Sequence, residues 1–201
     1  MSQFIESIRI VNGVPELIDY HNDRFNATRK LFFCVDDDLD LKQSISIPKA
    51  YQKGLVKCRV LYDLNILDVQ FDPYQAAQIQ TLQLVDASVN YDYKFADRNE
   101  LNQLKAKAKS ADEVLIVNNG KISDTSFSNI LFSKNGQWFT PDSPLLAGVQ
   151  REFLLNERRI EEWCIKPKEL SRFESFMLIN AMLPFDESRA LPIQNILGLC
   201  V

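Results

Sequence analysis

Lys94 stands in the run Tyr93-Lys94-Phe95-Ala96-Asp97-Arg98, between aromatic residues and just ahead of a stretch rich in helix formers. Partial burial strips solvation from an ammonium group and favours the neutral amine, the form that attacks an aldehyde. A lysine in this setting can equally lay its stem along the surface and keep its head in water. Asp124, directly after Ser123, offers a carboxylate that is either a chemical group or an ordinary turn residue. A third feature is the loop of small residues that leads through Gly148 into Val149-Gln150 and an apolar-periodic run containing Phe153 and Leu154. A helix starting there would present unpaired amides and the positive end of its dipole, which together make an anion site.

The elements that must position these groups are legible from period and punctuation. Asn119-Gly120 and Asn135-Gly136 sit between apolar runs. Each tolerates the positive φ of a type I′ turn, so each reads as a hairpin tip. The expected result is a three-stranded meander over Val114–Asn118, Ile122–Ser133 and Gln137–Thr140. Pro141 and Pro144 end it because neither can donate to a ladder. A helix from Val149 to about Arg159 follows. Upstream, Phe4–Val11 and Val14–Ile18 form a hairpin about Asn12-Gly13. Asp19 is placed to cap a helix reaching Phe33, with Arg24, Arg29 and Lys30 at polar positions and Phe25, Leu31 and Phe32 available to the core. Lys49–Gly54 closes a short helix. Leu55–Tyr62, Asn65–Phe71 and Thr81–Val85 are strands, and Ala87–Tyr93 is a connector. Asp97–Ala108 is a helix, Cys164–Ile165 a strand, Glu169–Phe173 a short helix and Met177–Asn180 a buried strand. No repeat or low-complexity segment interrupts the chain, and the connector before Lys94 is the natural boundary.

Several function classes are excluded by composition. With 27 acidic against 23 basic side chains and a net charge of −4, there is no basic stripe to meet nucleic acid or an anionic membrane. The apolar runs fall well short of the roughly 20 residues needed to span a bilayer. The opening Met1-Ser2-Gln3-Phe4-Ile5-Glu6-Ser7 lacks the charged and apolar regions of a signal peptide. Cys34, Cys58, Cys164 and Cys200 are far apart and read as reduced, mostly buried thiols of a cytoplasmic protein. One histidine, His21, and no cysteine pair leave no zinc site. Asp36, Asp37, Asp38 and Asp40 lack the glycine and closing Glu of a calcium loop, so they read as a solvated turn or a helix start. The 201 residues, 46% hydrophobic, suffice for one large domain or two small ones.

The ordered set Asp124-Thr125-Ser126-Phe127-Ser128-Asn129-Ile130-Leu131-Phe132, Thr140-Pro141 and Leu146-Ala147-Gly148-Val149-Gln150-Arg151 resembles the class IV aminotransferase family. These are the fold-type IV pyridoxal-phosphate enzymes, which include branched-chain and D-amino-acid aminotransferases and aminodeoxychorismate lyase. Their wording runs E-G-x-x-S-N-I-F, T-P, L-x-G-I-T-R. The likeness spans roughly Ile5 to Pro184 and is specific for family rather than substrate. It implies the α+β class and a two-domain fold of the D-amino-acid aminotransferase kind. A small N-terminal domain, 1–88, and a larger C-terminal domain, 89–201, would have the cofactor cleft between them. It also implies pyridoxal 5′-phosphate as cofactor, a small-molecule amine or amino acid as substrate, and a homodimer whose active site is closed in part by the neighbouring subunit.

The same resemblance assigns roles. Lys94, in a Lys-x-x-x-Arg context with Arg98 and 30 residues ahead of Asp124, is similar to the family's Schiff-base lysine. Asp124 takes the place of the carboxylate that keeps the pyridine nitrogen protonated, where the family usually has Glu, one methylene longer. Tyr20-His21-Asn22-Asp23-Arg24 resembles the family's H-x-x-R, so Arg24 would contact the cofactor phosphate, a task its fork of donors suits. His21 would pack and orient. Gly148, Val149 and Gln150, with Asn129 and the Asn180-Ala181 turn, complete the cofactor set. Glu6-Ser7-Ile8-Arg9 resembles the end of the family's F-E-x-I-R strand, with Ile5 in place of its Phe. Arg9 there either meets a substrate carboxylate or points outward, and Tyr93 and Met182 join it on the substrate side. The family carries a longer leading segment, whose substrate-side elements are expected to be absent or replaced here.

The wording His-x-x-Arg and Asn-Ala-Met-Leu-Pro points to a lyase converting 4-amino-4-deoxychorismate to 4-aminobenzoate and pyruvate. An aminotransferase for branched-chain or D-amino acids is the alternative. A non-catalytic protein that keeps the fold is the alternative from another class.

Overall fold

The computed structural model describes residues 2–108 and 110–198; Cys200 lies outside them. By its contacts the chain forms two compact units, 1–76 with 93–97, and 77–92 with 98–201.

The first unit is a four-stranded sheet in the order β2-β1-β3-β4. Its strands are β1 (Phe4–Val11), β2 (Val14–Pro15), β3 (Leu55–Tyr62) and β4 (Ile66–Pro73). β1 runs antiparallel to β3 along its whole length, from Phe4 opposite Tyr62 to Val11 opposite Leu55. Alternation along β3 buries Val56, Cys58, Val60 and Tyr62, the period-2 pattern of a strand with one core face. Phe4, Ile8 and Ile10 of β1 join them, with Phe25 from helix α1 (Ile18–Phe33). The helix starts one residue ahead of Asp19. Glu16 N donates to Arg9 O, and the chain turns at Leu17, which has φ 50° and no side-chain cap. Asp19 therefore lies in the first turn, where a carboxylate meets the positive end of the dipole.

Three further expectations for α1 change. Leu31 and Phe32 are exposed, whereas Arg29 is buried. The Arg29 guanidinium donates to Leu64 O, Asn26 Oδ1, Asp37 O and the Asp37 carboxylate, so the helix fastens two loops through one paired charge. Asp40 accepts from Lys42 N and caps a short helix, α2 (Leu41–Ser44).

The second unit holds two sheets. Strand β5 (Leu82–Asp86) runs parallel to β6 (Glu113–Asn118), which pairs antiparallel with β7 (Lys121–Thr125). Asp112 anchors the start of β5 by accepting from Gln80 N and Thr81 N. The strand ahead of the 88/89 position thus belongs by its contacts to this unit. Helix α3 (Asn99–Lys105) continues as one 3₁₀ turn to Ala108. The second sheet is built on β8 (Asn129–Lys134) and β9 (Gln137–Pro141). The expected single strand Ile122–Ser133 is therefore two strands in different sheets, and the three-stranded meander does not form. The break is made at Thr125–Ser128. The Thr125 hydroxyl accepts from Ser128 N at 2.9 Å and Thr125 N donates to Ser128 O, closing a tight turn.

Helix α4 (Val149–Asn156) is followed by β10 (Glu161–Trp163), which runs parallel to β9 and sits just ahead of the expected Cys164–Ile165. A 3₁₀ segment, Pro167–Arg172, replaces the short helix, and β11 (Ser175–Ile179) pairs with β8. Short strands β12 (Leu191–Pro192) and β13 (Ile196–Leu197) join β11 and β5. Leu82, Leu115, Ile130, Phe132, Phe176 and Ile196 share one core between the two sheets. Cys34 and Cys164 are exposed rather than buried, one at the helix C-cap and one after an edge strand, and only Cys58 of the described three is in the core.

Candidate active site

In the first unit the site residues gather where β1 meets α1 and the 93–97 segment. Ile5 N donates to Lys94 O at 2.9 Å and Phe4 bridges Phe95, so the Lys94 backbone lies along the start of β1. Tyr93 packs edge-on to Phe32, with ring centroids 4.8 Å apart. Next along β1 comes Glu6, fully buried. Its Oε1 accepts from Arg24 Nε at 2.9 Å, and its Oε2 accepts from Arg24 Nη2 at 2.5 Å and lies 2.6 Å from His21 Nδ1. Burial opposes the Glu6 charge, but the Arg24 guanidinium and the His21 hydrogen bond outweigh it and hold the carboxyl at about 2. His21 is pushed below its ordinary value, chiefly by burial, with the charges of Arg24 and Lys94 adding to the effect against the pull of Glu6. Arg9 is elsewhere on β1, its Nη1 paired with Glu16 Oε2 at 2.5 Å.

In the second unit Asp124 ends up buried, 4% exposed, near the end of β7. Its Oδ2 accepts from Leu145 N at 2.8 Å and Leu146 N at 3.1 Å, and its Oδ1 from Asn129 Nδ2 at 2.9 Å. Burial raises the carboxyl to about 6, against the hydrogen bonds and the more distant Arg151 charge. Asn129 also donates to Leu146 O at 2.9 Å. A Cβ added at Gly148 would stand 2.1 Å from Asn129 Oδ1, so a larger residue there would have to displace the Asn129 side chain. Gly148 then opens α4 without a side-chain cap, and the first helical bond runs from Glu152 N to Gly148 O. The amides of Val149 and Gln150 thus stand in the unpaired first turn.

The Asn180-Ala181-Met182 turn is tied to the same region. Asn180 Oδ1 accepts from Met182 N at 2.8 Å and Leu183 N at 3.0 Å, while Asn180 Nδ2 donates to Ser128 Oγ at 2.8 Å. Ser126 O accepts from Arg98 Nη2 at 2.7 Å. Asp124, Asn129, Gly148 and the 145–150 loop therefore form one hydrogen-bonded body, joined to Asn180 through the Phe127-Ser128 tip. Glu6, quoted in the F-E-x-I-R likeness without a role of its own, is the buried residue on which His21 and Arg24 converge. The signal was present: a carboxylate on the same strand face as Phe4, Ile8 and Ile10 must find a partner.

A family model described as amino-transferase class IV matches residues 3–186. The chain belongs to that family. Its members are pyridoxal-phosphate-dependent enzymes, and this chain has their α+β, fold-type IV architecture. An uncharacterised protein from Haemophilus influenzae is 32% identical over 185 residues, covering 90% of this chain and 98% of its own. The solved structure of a "putative 4-amino-4-deoxychorismate lyase" from Haemophilus somnus 129PT is 33% identical, with a TM-score of 0.86 over 92% of this chain and 98% of that one. A "putative amino-acid aminotransferase" from Mesorhizobium loti, 22% identical, has a TM-score of 0.78 over 96% of this chain and 98% of its own, a likeness of fold alone. No helix among the described residues is long and apolar enough to cross a membrane.

Proposed function

We propose that this class IV family member binds pyridoxal 5′-phosphate and acts as a lyase, converting 4-amino-4-deoxychorismate to 4-aminobenzoate and pyruvate. The observation that carries the choice of lyase is the likeness, over nearly the whole length of both chains, to the Haemophilus somnus protein. The residues fit the cofactor. A carboxylate has about four acceptor positions, and Asp124 fills three of them with N–H groups. The fourth suits a protonated ring nitrogen. The uncapped start of α4, with Val149 and Gln150, suits phosphate.

When bound, the cofactor supplies an aldehyde for the substrate amine and a ring that draws electrons from the carbon bearing nitrogen. Lys94 would hold the cofactor, and its amine would serve as the base for the proton on that substrate carbon. Asp124 would favour the protonated form of the ring nitrogen. By the family likeness Arg24 would be a phosphate ligand, as would the amides of Val149, Gln150 and Ala181, and Gly148 and Asn129 would belong to the same cofactor set. Arg9, Tyr93 and Met182 stand as the substrate-side residues. Loss of the proton is coupled to departure of pyruvate, and aromatisation of the ring left behind drives the reaction forward. An aminotransferase would instead release an oxo acid from its amino substrate.

The family likeness also supports a homodimer, the commonest closed assembly. The free thiols of Cys34, Cys58 and Cys164 suit a reducing, cytoplasmic setting.

Purified protein incubated with 4-amino-4-deoxychorismate should release pyruvate. Release of oxo acids from an amino-acid panel, without pyruvate from the chorismate substrate, would replace the lyase reading by the aminotransferase one. Colourless protein that takes up no pyridoxal phosphate would leave only a binding role for the fold. Borohydride reduction of the loaded protein should fix a pyridoxyl group on Lys94; an adduct on Lys105 or Lys121 would move the reactive amine.

A further inference from the structure

Glu6 lies mid-strand among core residues, where an unpaired carboxylate would be strongly unfavourable. It is paired twice. The two bonds from Arg24 Nε and Nη2 form a bidentate fork, which fixes the plane of the guanidinium as well as its position. The third contact, to His21 Nδ1 at 2.6 Å, places the ring proton on that nitrogen and leaves Nε2 as an acceptor. Nε2 is buried and has no hydrogen-bond partner among the described residues. One carboxylate thus governs the orientation of both residues of the His-x-x-Arg pair.

We infer that Glu6 is a positioning residue for the cofactor phosphate, holding the Arg24 guanidinium in a fixed orientation and His21 as a single tautomer beside it. This rests on the reading that Arg24 meets the phosphate. A plain charge argument predicts the opposite effect on binding. A carboxylate in contact with Arg24 reduces its attraction for an anion, so if Glu6 only neutralises Arg24, removing its charge would tighten phosphate binding. If Glu6 positions Arg24, removing the charge loosens it.

The test is Glu6→Gln, read by absorbance titration of the apoprotein with pyridoxal 5′-phosphate and, separately, with unphosphorylated pyridoxal. In this variant Oε1 still accepts from Arg24 Nε. An NH₂ group replaces the oxygen to which Arg24 Nη2 and His21 Nδ1 both point, so donors face donors. The affinity for pyridoxal phosphate should fall about 10-fold or more, the scale of a lost hydrogen bond between charged groups, while that for pyridoxal changes by less than about two-fold. Unchanged or tighter binding of the phosphate form overturns the inference, as does an equal loss for both ligands, which would mark general damage to the fold.

Glu6→Asp keeps the charge but draws it back by one methylene, and should show the same phosphate-selective loss. If it binds like the parent protein, the inference fails even where Glu6→Gln does not fold. In an Arg24→Met background, Glu6→Gln should add no further loss. Parent protein that does not distinguish pyridoxal phosphate from pyridoxal would instead defeat the phosphate assignment of Arg24, and the inference with it.

Discussion

Replacing Asp124 by Asn separates the charge of this carboxylate from its shape. Burial raises the Asp124 carboxyl from an ordinary 3.8 to about 6. A raised folded-state value means that the protonated form is the one folding favours. The associated stability is fully present below about pH 3.8 and is lost as pH rises through about 6. At neutral pH the ionised group therefore costs about 3 kcal/mol relative to a neutral one, at 1.36 kcal/mol per unit. Asn avoids that cost. Its amide oxygen can still accept from Leu145 N and Leu146 N, but its NH₂ then faces Asn129 Nδ2, which already donates to Leu146 O. Such a donor conflict costs about 1–3 kcal/mol. The two effects nearly cancel at pH 7, so the variant should fold with almost unchanged stability there. On acidification to about pH 4.5 the parent protein should gain about 2 kcal/mol on the variant, because only the parent takes up the proton. Urea denaturation of both apoproteins at the two pH values measures this, since the titrations they share cancel in the difference. Parallel pH profiles would show that Asp124 carries no raised value and would refute this account of its burial. In the loaded enzyme the variant should keep its cofactor but turn over on the order of 100-fold more slowly, if about 3 kcal/mol of transition-state stabilisation is lost.

Arg24→Ala should weaken cofactor binding and also destabilise the apoprotein by about 3–5 kcal/mol, because it strips a buried carboxylate of its main partner; an unchanged urea midpoint would refute the pairing. Gly148→Ala drives a methyl into Asn129 Oδ1 and should cost about 1–3 kcal/mol of stability in thermal melts, whereas a free rotation of Asn129 would make it harmless. The homodimer predicts a sedimentation coefficient of a two-chain particle. A monomer that holds pyridoxal phosphate tightly would count against it.

What the sequence made legible depended on distance along the chain. Asn119-Gly120 and Asn135-Gly136 announce their turns within two residues, and both Asn have φ near +50°, at 52° and 51°. The motif spacing likewise placed Asp124, Asn129 and Gly148 in one body, because strand and loop between them are short. The break at Thr125–Ser128 was hidden. A hydroxyl that closes a turn on its own neighbours looks, by composition, like another β-branched strand residue. Asp124 shows the same limit in its chemistry. One side-chain oxygen spans the amides of Leu145 and Leu146, 21 and 22 residues away, so the shorter acid is matched to its loop. The family's longer Glu would have to push that oxygen into a filled site, at a cost of about 1–3 kcal/mol. Departure from a family's usual residue is thus accounted for here by packing, which motif comparison alone does not see. Glu6 is the harder case. Its partners lie 15 and 18 residues on, and only the crossing of α1 over β1 brings them together. Yet a carboxylate in the core-facing register of a strand already demands a cation, and His21 and Arg24, three residues apart on one helical face, were the pair able to supply donors from a single side.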